Sequence, residues 1–388
     1  MVGDLRSVLK APLRCPRRDC APRAPVALLC VLATAGWICA CASPVRERPQ
    51  PSLLPTERLI YTAAKTLSDV FSEAGRVQFR AQEEYLSVRP LLKAIDRERR
   101  FVVLDKLNVR AIYVFGENGS PAGRIGTEGR ALGEYTYPHT VGYSADQARY
   151  YVYDGDLLRV LEFGEDFQFR RMFDLALFVD QLLVTPEGRI FCYSSSRAKA
   201  LASKAVVHEI DDEGRVLRGF APQSKRYSGW AASEGGGIAY ARGWLYVITP
   251  YEYLIAVYDL SGNVALRRTG SPDHYVPPGP PPKAPDGVDR LKLAQAYHRS
   301  WSHIRQLLLL DDKMIGVVYA APGEERVFLD LYELDLTPVA SALELPEYAG
   351  DLLAHGDSLY ALTPARITGQ GVPLDRSVVR YRLVRPQG

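Results

Sequence analysis

The chain of 388 residues is nearly devoid of cysteine where a folded body would use it. Five of its six cysteines (Cys15, Cys20, Cys30, Cys39 and Cys41) lie in the first 41 residues, and only Cys192 lies beyond them. An internal disulfide in the body is therefore excluded. Cys192 sits in the apolar run Arg189-Ile-Phe-Cys-Tyr193 and reads as a buried core thiol rather than a nucleophile. Charge of one sign is lacking too. The formal net charge is +3, and six basic residues against two acidic ones fall in the first 40, so the remainder is near neutral. That leaves no polyelectrolyte footprint and argues against nucleic acid as a partner. His-x-His, His-Glu-x-x-His and Gly-x-Ser-x-Gly spacings are all missing, so no ready-made metal or nucleophile motif exists. Ser194-Ser-Ser196 reads as a turn, and Gly235-Gly-Gly237 as a tight junction with no Lys-Ser/Thr to make a phosphate loop.

What is present at the N-terminus is a signal. A basic stretch ending at Arg23 precedes the apolar run Val26–Ala35. That run is shorter than the roughly 20 residues a permanent spanning helix needs. It ends in Ile38-Cys-Ala-Cys41-Ala-Ser43, which resembles the lipobox of bacterial lipoproteins and makes Cys41 the acylated residue. The alternative is ordinary cleavage near Ala42. No Asp follows the cysteine, which points to the outer membrane. Four prolines between Pro44 and Pro55 make a stiff tether. The expected organisation is a signal peptide over 1–40, a lipidated tether over 41–55, a helical segment over 56–74 with Thr56 as N-cap, and a repeat body over 75–388 with an insertion at 271–299.

The body is a series of strand-rich units. Phe101-Val-Val-Leu-Asp105, Ala111-Ile-Tyr-Val-Phe115 and Pro121-Ala-Gly-Arg-Ile125 set the pattern of run, run, tight turn and run, and it recurs five more times. Hairpin apices at Gly119, Asp166, Gly214, Gly262 and Leu336 are separated by 47, 48, 48 and 74 residues. The excess in the last interval matches the Pro-rich segment from Ser271 and the polar helical pattern that follows it to Arg299. A period near 48 in all-β units predicts a six-bladed β-propeller of four-stranded antiparallel blades. The last unit stops near Leu383 one strand short. Gly75–Arg80 is the expected closing strand, because an unclosed blade would expose an unpaired edge.

Ile112-Tyr-Val-Phe115, Gly119, Arg124-Ile-Gly126 and Gly129-Arg-Ala-Leu-Gly-Glu-Tyr135 followed by Pro138 resemble a bacterial family of six-bladed propellers in the NHL and TolB-like group. Ala131 and Leu132 stand where that family has Gly-Pro. Many of its members are lipoproteins, so the resemblance implies the fold and an envelope location.

Recognition in a propeller concentrates on the face that carries the loops before each innermost strand. Aromatic, His and Arg residues of those loops are the ligand-binding candidates: Tyr135, His139, Tyr227, Trp230, Tyr251, Trp301, His303 and Arg305. The functional expectation is a monomeric, envelope-anchored binding or scaffold protein for a protein or carbohydrate partner, with no cofactor. The competing reading is an envelope hydrolase or lyase with a divalent metal in the channel, held by histidines such as His139 and His303.

Overall fold

The computed structural model describes residues 57–58, 66–79, 90–106, 109–195, 205–223, 235–280, 289–323, 326–346, 351–363, 366–367, 373–374 and 376–384. They form six four-stranded antiparallel blades. Blade one comprises Leu91–Ile95, Phe101–Asp105, Ala111–Phe115 and Pro121–Arg124. Blade two comprises Pro138–Ser144, Arg149–Asp154, Arg159–Gly164 and Phe169–Asp174. Blade three comprises Gln181–Val184, Ile190–Tyr193, Ala205–Ile210 and Val216–Pro222. Blade four comprises Gly237–Ala241, Trp244–Thr249, Glu252–Asp259 and Val264–Thr269. Blade five comprises His303–Leu310, Met314–Ala320, Val327–Glu333 and Pro338–Leu345. Blade six takes Leu352–His355, Ser358–Leu362 and Ser377–Leu383 from the end of the chain and Phe71–Gln78 from its beginning. The first strands of successive blades meet one another around the ring, blade six to blade one included.

The apolar runs that mark the second and third strands follow from this packing. Each blade presses both faces of its middle strands against its neighbours, so Phe101–Asp105 and Ala111–Phe115 are buried at every position. Six hydrophobic clusters result, one at each junction between successive blades. Cys192 is fully buried in the cluster between blades two and three, and burial pushes its thiol pKa up, as expected for an inert core residue.

The turn between third and fourth strands is one motif used five times. In each, the N–H of the fourth residue donates to the carbonyl of the first, and the N–H of the first donates to the carbonyl of the fifth. The fourth residue is left-handed: Gly119, Phe167, Gly214, Gly262 and Leu336. A bulge in the strand pairing accompanies every copy. Phe167, not Asp166, is thus the structural equivalent of the glycines.

The N-terminal expectation needs correcting. A helix over 56–74 is not what the described residues show. Glu57–Arg58 pairs in parallel with Arg268–Thr269 as a fifth strand on blade four. Among the described residues of this segment helix occupies only Leu67–Val70, with Thr66 as its N-cap, and the Asp69 carboxylate accepts hydrogen bonds from the Thr66 N–H and hydroxyl; Thr56 lies outside the described residues. The closing strand already begins at Phe71, because Val70 and Phe71 belong to the core between blades five and six. Strand pairing of this length outweighs the weak helical pattern. Of the insertion, residues 271–280 and the helix Arg290–Arg299 are described. Tyr297 hydroxyl to Gly279 O (2.7 Å) joins the two segments, and Ser302 N–H to Val276 O (2.8 Å) and Gly323 N–H to Arg299 O (2.9 Å) fasten them beside blade five.

Candidate functional site

The ring brings the starts of all six inner strands to one face, around the axis. Polar side chains there chiefly serve neighbouring blades. The Gln181 amide of blade three donates to Ile238 O (2.9 Å) and accepts from Ile238 N–H (3.0 Å) of blade four. Gln306 of blade five donates to Leu352 O of blade six (2.7 Å), and Asp351 before blade six accepts from the Leu92 N–H of blade one. These contacts satisfy backbone groups that the narrow end of each blade leaves over.

The aromatic candidates turn out to be packing residues. Tyr135 is fully buried; its hydroxyl donates to Ile125 O (3.0 Å) and accepts from Ile112 N–H (3.3 Å), and burial raises its pKa to about 12. Tyr251 and Trp301 are buried together with Tyr297 of the insertion helix. His303 is also buried, with its ring against Trp301 at 3.9 Å and its Nε2 2.8 Å from His298 O and 3.1 Å from His298 Nδ1. This cluster seats the insertion on blades four and five. Arg305 is half-buried on the inner strand of blade five. Tyr227, Trp230 and Cys41 lie outside the described residues.

His139 stands apart from that group. It follows Pro138 at the start of the inner strand of blade two, with its Nε2 3.7 Å from Asp180 Oδ1. Asp180 directly precedes the inner strand of blade three, and its other oxygen accepts from the Ser195 N–H (2.6 Å) and hydroxyl (2.7 Å). Tyr137, Tyr153 and Phe178 surround the imidazole, with ring centroids 5.7, 6.4 and 4.6 Å away. The local chain order explains the convergence. The carbonyl of Tyr137 receives Gly155 N–H, the Asp154 carboxylate receives Thr136 and Tyr137 N–H, and Asp180 N–H is tied to Tyr193 O. Ser195 donates to one Asp180 oxygen, and the other Asp180 oxygen faces His139, so the carboxylate stands between serine and imidazole. In a Ser-His-Asp triad the imidazole stands between serine and carboxylate. Among the described residues no three His, Cys, Asp or Glu side chains converge as a metal site. Sequence reasoning found His139 but missed Asp180, Ser195, Tyr137 and Phe178, which no motif spacing links to it.

The family model of 6-bladed beta-propellers designated DUF5128 matches residues 65–269, more than half of the chain. This protein belongs to that family. The match spans the closing strand and blades one to four, and so includes the junction that carries His139 and Asp180. Two solved structures share the DUF5128 propeller's architecture. One is a Bacteroides fragilis protein described as exported, with a TM-score of 0.61 and 13% identity over 85% of this chain and 100% of that chain. The other is a DUF4221 member from Bacteroides vulgatus, with a TM-score of 0.57 and 11% identity over 81% of this chain and 98% of that chain. At such identities the likeness concerns the fold alone. No curated protein sequence matches the chain.

Proposed function

We propose that this DUF5128 propeller is an exported, lipid-anchored binding protein that presents the inner-strand face to a protein or carbohydrate partner. One observation carries the binding reading. In the polar cluster at the junction of blades two and three, the Asp180 carboxylate takes up the Ser195 hydroxyl and faces His139, with half-buried Tyr137 and Phe178 beside the imidazole. Charged, polar and aromatic groups gathered at one blade junction support recognition of a partner. Anchoring is supported by the lipobox at Cys41 and, more loosely, by the fold shared with a protein described as exported. The Ala42-Ser43 pair after the cysteine favours the outer membrane.

Envelope fractionation tests the anchor: the native chain stays with outer membranes and Cys41→Ala is released to the soluble fraction. A native chain found soluble overturns the anchoring. Metal analysis of the purified body tests binding against catalysis. A stoichiometric metal lost on replacing His139 and His303 would favour the hydrolase or lyase instead.

A further inference from the structure

We propose that the cleft between blades six and one is a binding site for a small oxyanion, a carboxylate or a phosphate, with Arg380 as its anchor. The inference goes beyond the reading above. The cleft lies away from the inner-strand face, at the end of the blades where the first strand turns into the second. Its volume is about 170 Å³, which admits more than a single water. One wall is a row across blade six, Tyr360, Arg380 and Gly75, paired in register on the second, third and fourth strands. The other wall is blade one. Ile95 and Phe101 form its buried base, and Arg99 and Glu117 are joined there by an ion pair at 2.8 Å.

The equivalent rows of blades two and three show what sets this one apart. There the order is Tyr151, Glu162, Arg171 and Phe191, Glu209, Arg218. Each glutamate is held by that fourth-strand arginine and by a second one two residues before the aromatic, Arg149 or Arg189. In blade six the glutamate is replaced by Arg380, the fourth-strand arginine by Gly75 and the second arginine by Ser358. The central charge is reversed, and its fourth-strand neighbour has no side chain. A Cβ on Gly75 would meet nothing within 4 Å, so the space beside Arg380 is open. At the equivalent glycine of blade one, Gly123, a Cβ would lie 2.7 Å from the Phe167 ring, so there the next blade fills the space. Arg380 donates through Nε to Ser358 Oγ (3.0 Å), and its guanidinium lies 5.8 Å from the centroid of the Tyr360 ring. These contacts orient the planar fork before any ligand binds, which lowers the ordering cost. Among the described residues Arg380 forms no ion pair. An oxyanion beside Gly75 would supply the counter-charge, because a guanidinium fork takes two oxygens at once. The lining as a whole favours an anion, with Arg76, Arg99 and Arg380 against Glu117.

Carboxylates and phosphates offer the same chemistry to the fork, and the test separates them. The purified protein would be titrated by calorimetry with benzoate, with phenyl phosphate, and with benzyl alcohol as a neutral control. The phenyl group suits the apolar base of Ile95 and Phe101. Saturable binding of an anion, absent for benzyl alcohol, is expected, and the tighter of the two identifies the head group. Arg380→Gln should weaken it by about tenfold or more, the loss of a charge-assisted hydrogen bond. Glu117→Gln keeps the anchor and removes the one acidic residue of the lining, so it should tighten binding by about threefold. Glu117 is exposed, and its replacement leaves the blade cores untouched. No saturable anion binding, equal binding of benzyl alcohol, or equal binding by Arg380→Gln overturns the proposal. Should Arg380→Gln fail to fold, Glu117→Gln decides alone: unchanged or weaker binding by that variant overturns the assignment.

Discussion

Asp330 shows how one buried group sets a pH response. It is fully buried between blades four and five, where it receives the Tyr253 and Tyr332 hydroxyls and the Ala342 N–H (2.7 Å). Those three donors favour the charged carboxylate, yet burial wins and raises the pKa to about 6. In the unfolded chain the group titrates near 3.8. Between those values the folded state binds the extra proton, so the contribution of Asp330 to stability is full below about pH 4. It declines as pH rises through 6. Two units correspond to roughly 3 kcal/mol. Asparagine keeps an acceptor for Ala342 and cannot ionise. Urea unfolding from pH 4 to 7.5 should show the native protein losing stability relative to Asp330→Asn, by an amount of that order. A constant difference across the range counts against the assignment.

The repeated turn puts the same reasoning on a structural element. At Gly119 the turn needs φ of +79°, and an added Cβ would lie 2.0 Å from the carbonyl oxygen of Gln78 on the closing strand. At Gly243 φ is +85° and a Cβ would meet nothing within 4 Å. Gly243→Ala should therefore cost only the left-handed penalty, about 1 kcal/mol. Gly119→Ala should cost clearly more, since backbone must move, and thermal unfolding of the two variants would show it. Equal losses would mean that the approach to Gln78 is soft. The contrast also explains what was legible in the sequence. Glycine at 119, 214 and 262 advertises its turn, and the period of about 48 follows from those marks. Phe167 and Leu336 take the same conformation without glycine, because each is held by packing: Leu336 is fully buried, and Phe167 stacks beneath the Arg100 guanidinium (4.8 Å). The candidate site was far less legible. His139, Asp180 and Ser195 lie on two blades and meet only through the ring's register, so no local pattern links them. Aromatic loop residues such as Tyr135 and Trp301 gave the opposite error, since large side chains beside a blade junction fill it before they face solvent.

Around the whole molecule, the junctions differ in what fastens them besides apolar packing. Blades two and three carry buried Glu162 and Glu209 at equivalent places, each held between two arginines: Arg149 and Arg171 for the first, Arg189 and Arg218 for the second. Arg171 and Arg218 then donate to carbonyls of the next blade's turn, Asp212 O (3.1 Å) and Ser261 O (3.0 Å). Closure of the ring relies on different means, the pairing of Phe71–Gln78 with Ser377–Leu383 and the core formed by Phe79, Phe101, Phe115 and Tyr360. The closing strand pairs segments some 300 residues apart, a contact of high sequence separation and high loop-closure cost. The Glu57–Arg58 strand, by contrast, adds a two-residue parallel pair to an already complete blade four. A chain beginning at Thr66 should accordingly keep the cooperative unfolding of the full body, with a midpoint lowered by a few degrees at most. A chain beginning at Arg80 leaves Ser377–Leu383 with an unpaired edge and exposes Val70 and Phe71's seat beside Leu352 and Tyr381. It should populate aggregates or lose its cooperative transition by calorimetry. A synthetic peptide spanning 66–80 added in trans should restore the transition, because strand pairing and the buried side chains of Val70, Phe71 and Phe79 are what the truncation removed. If the shortened chain unfolds as sharply as the full one, closure resides in the inter-blade cores alone and the terminal strand is dispensable.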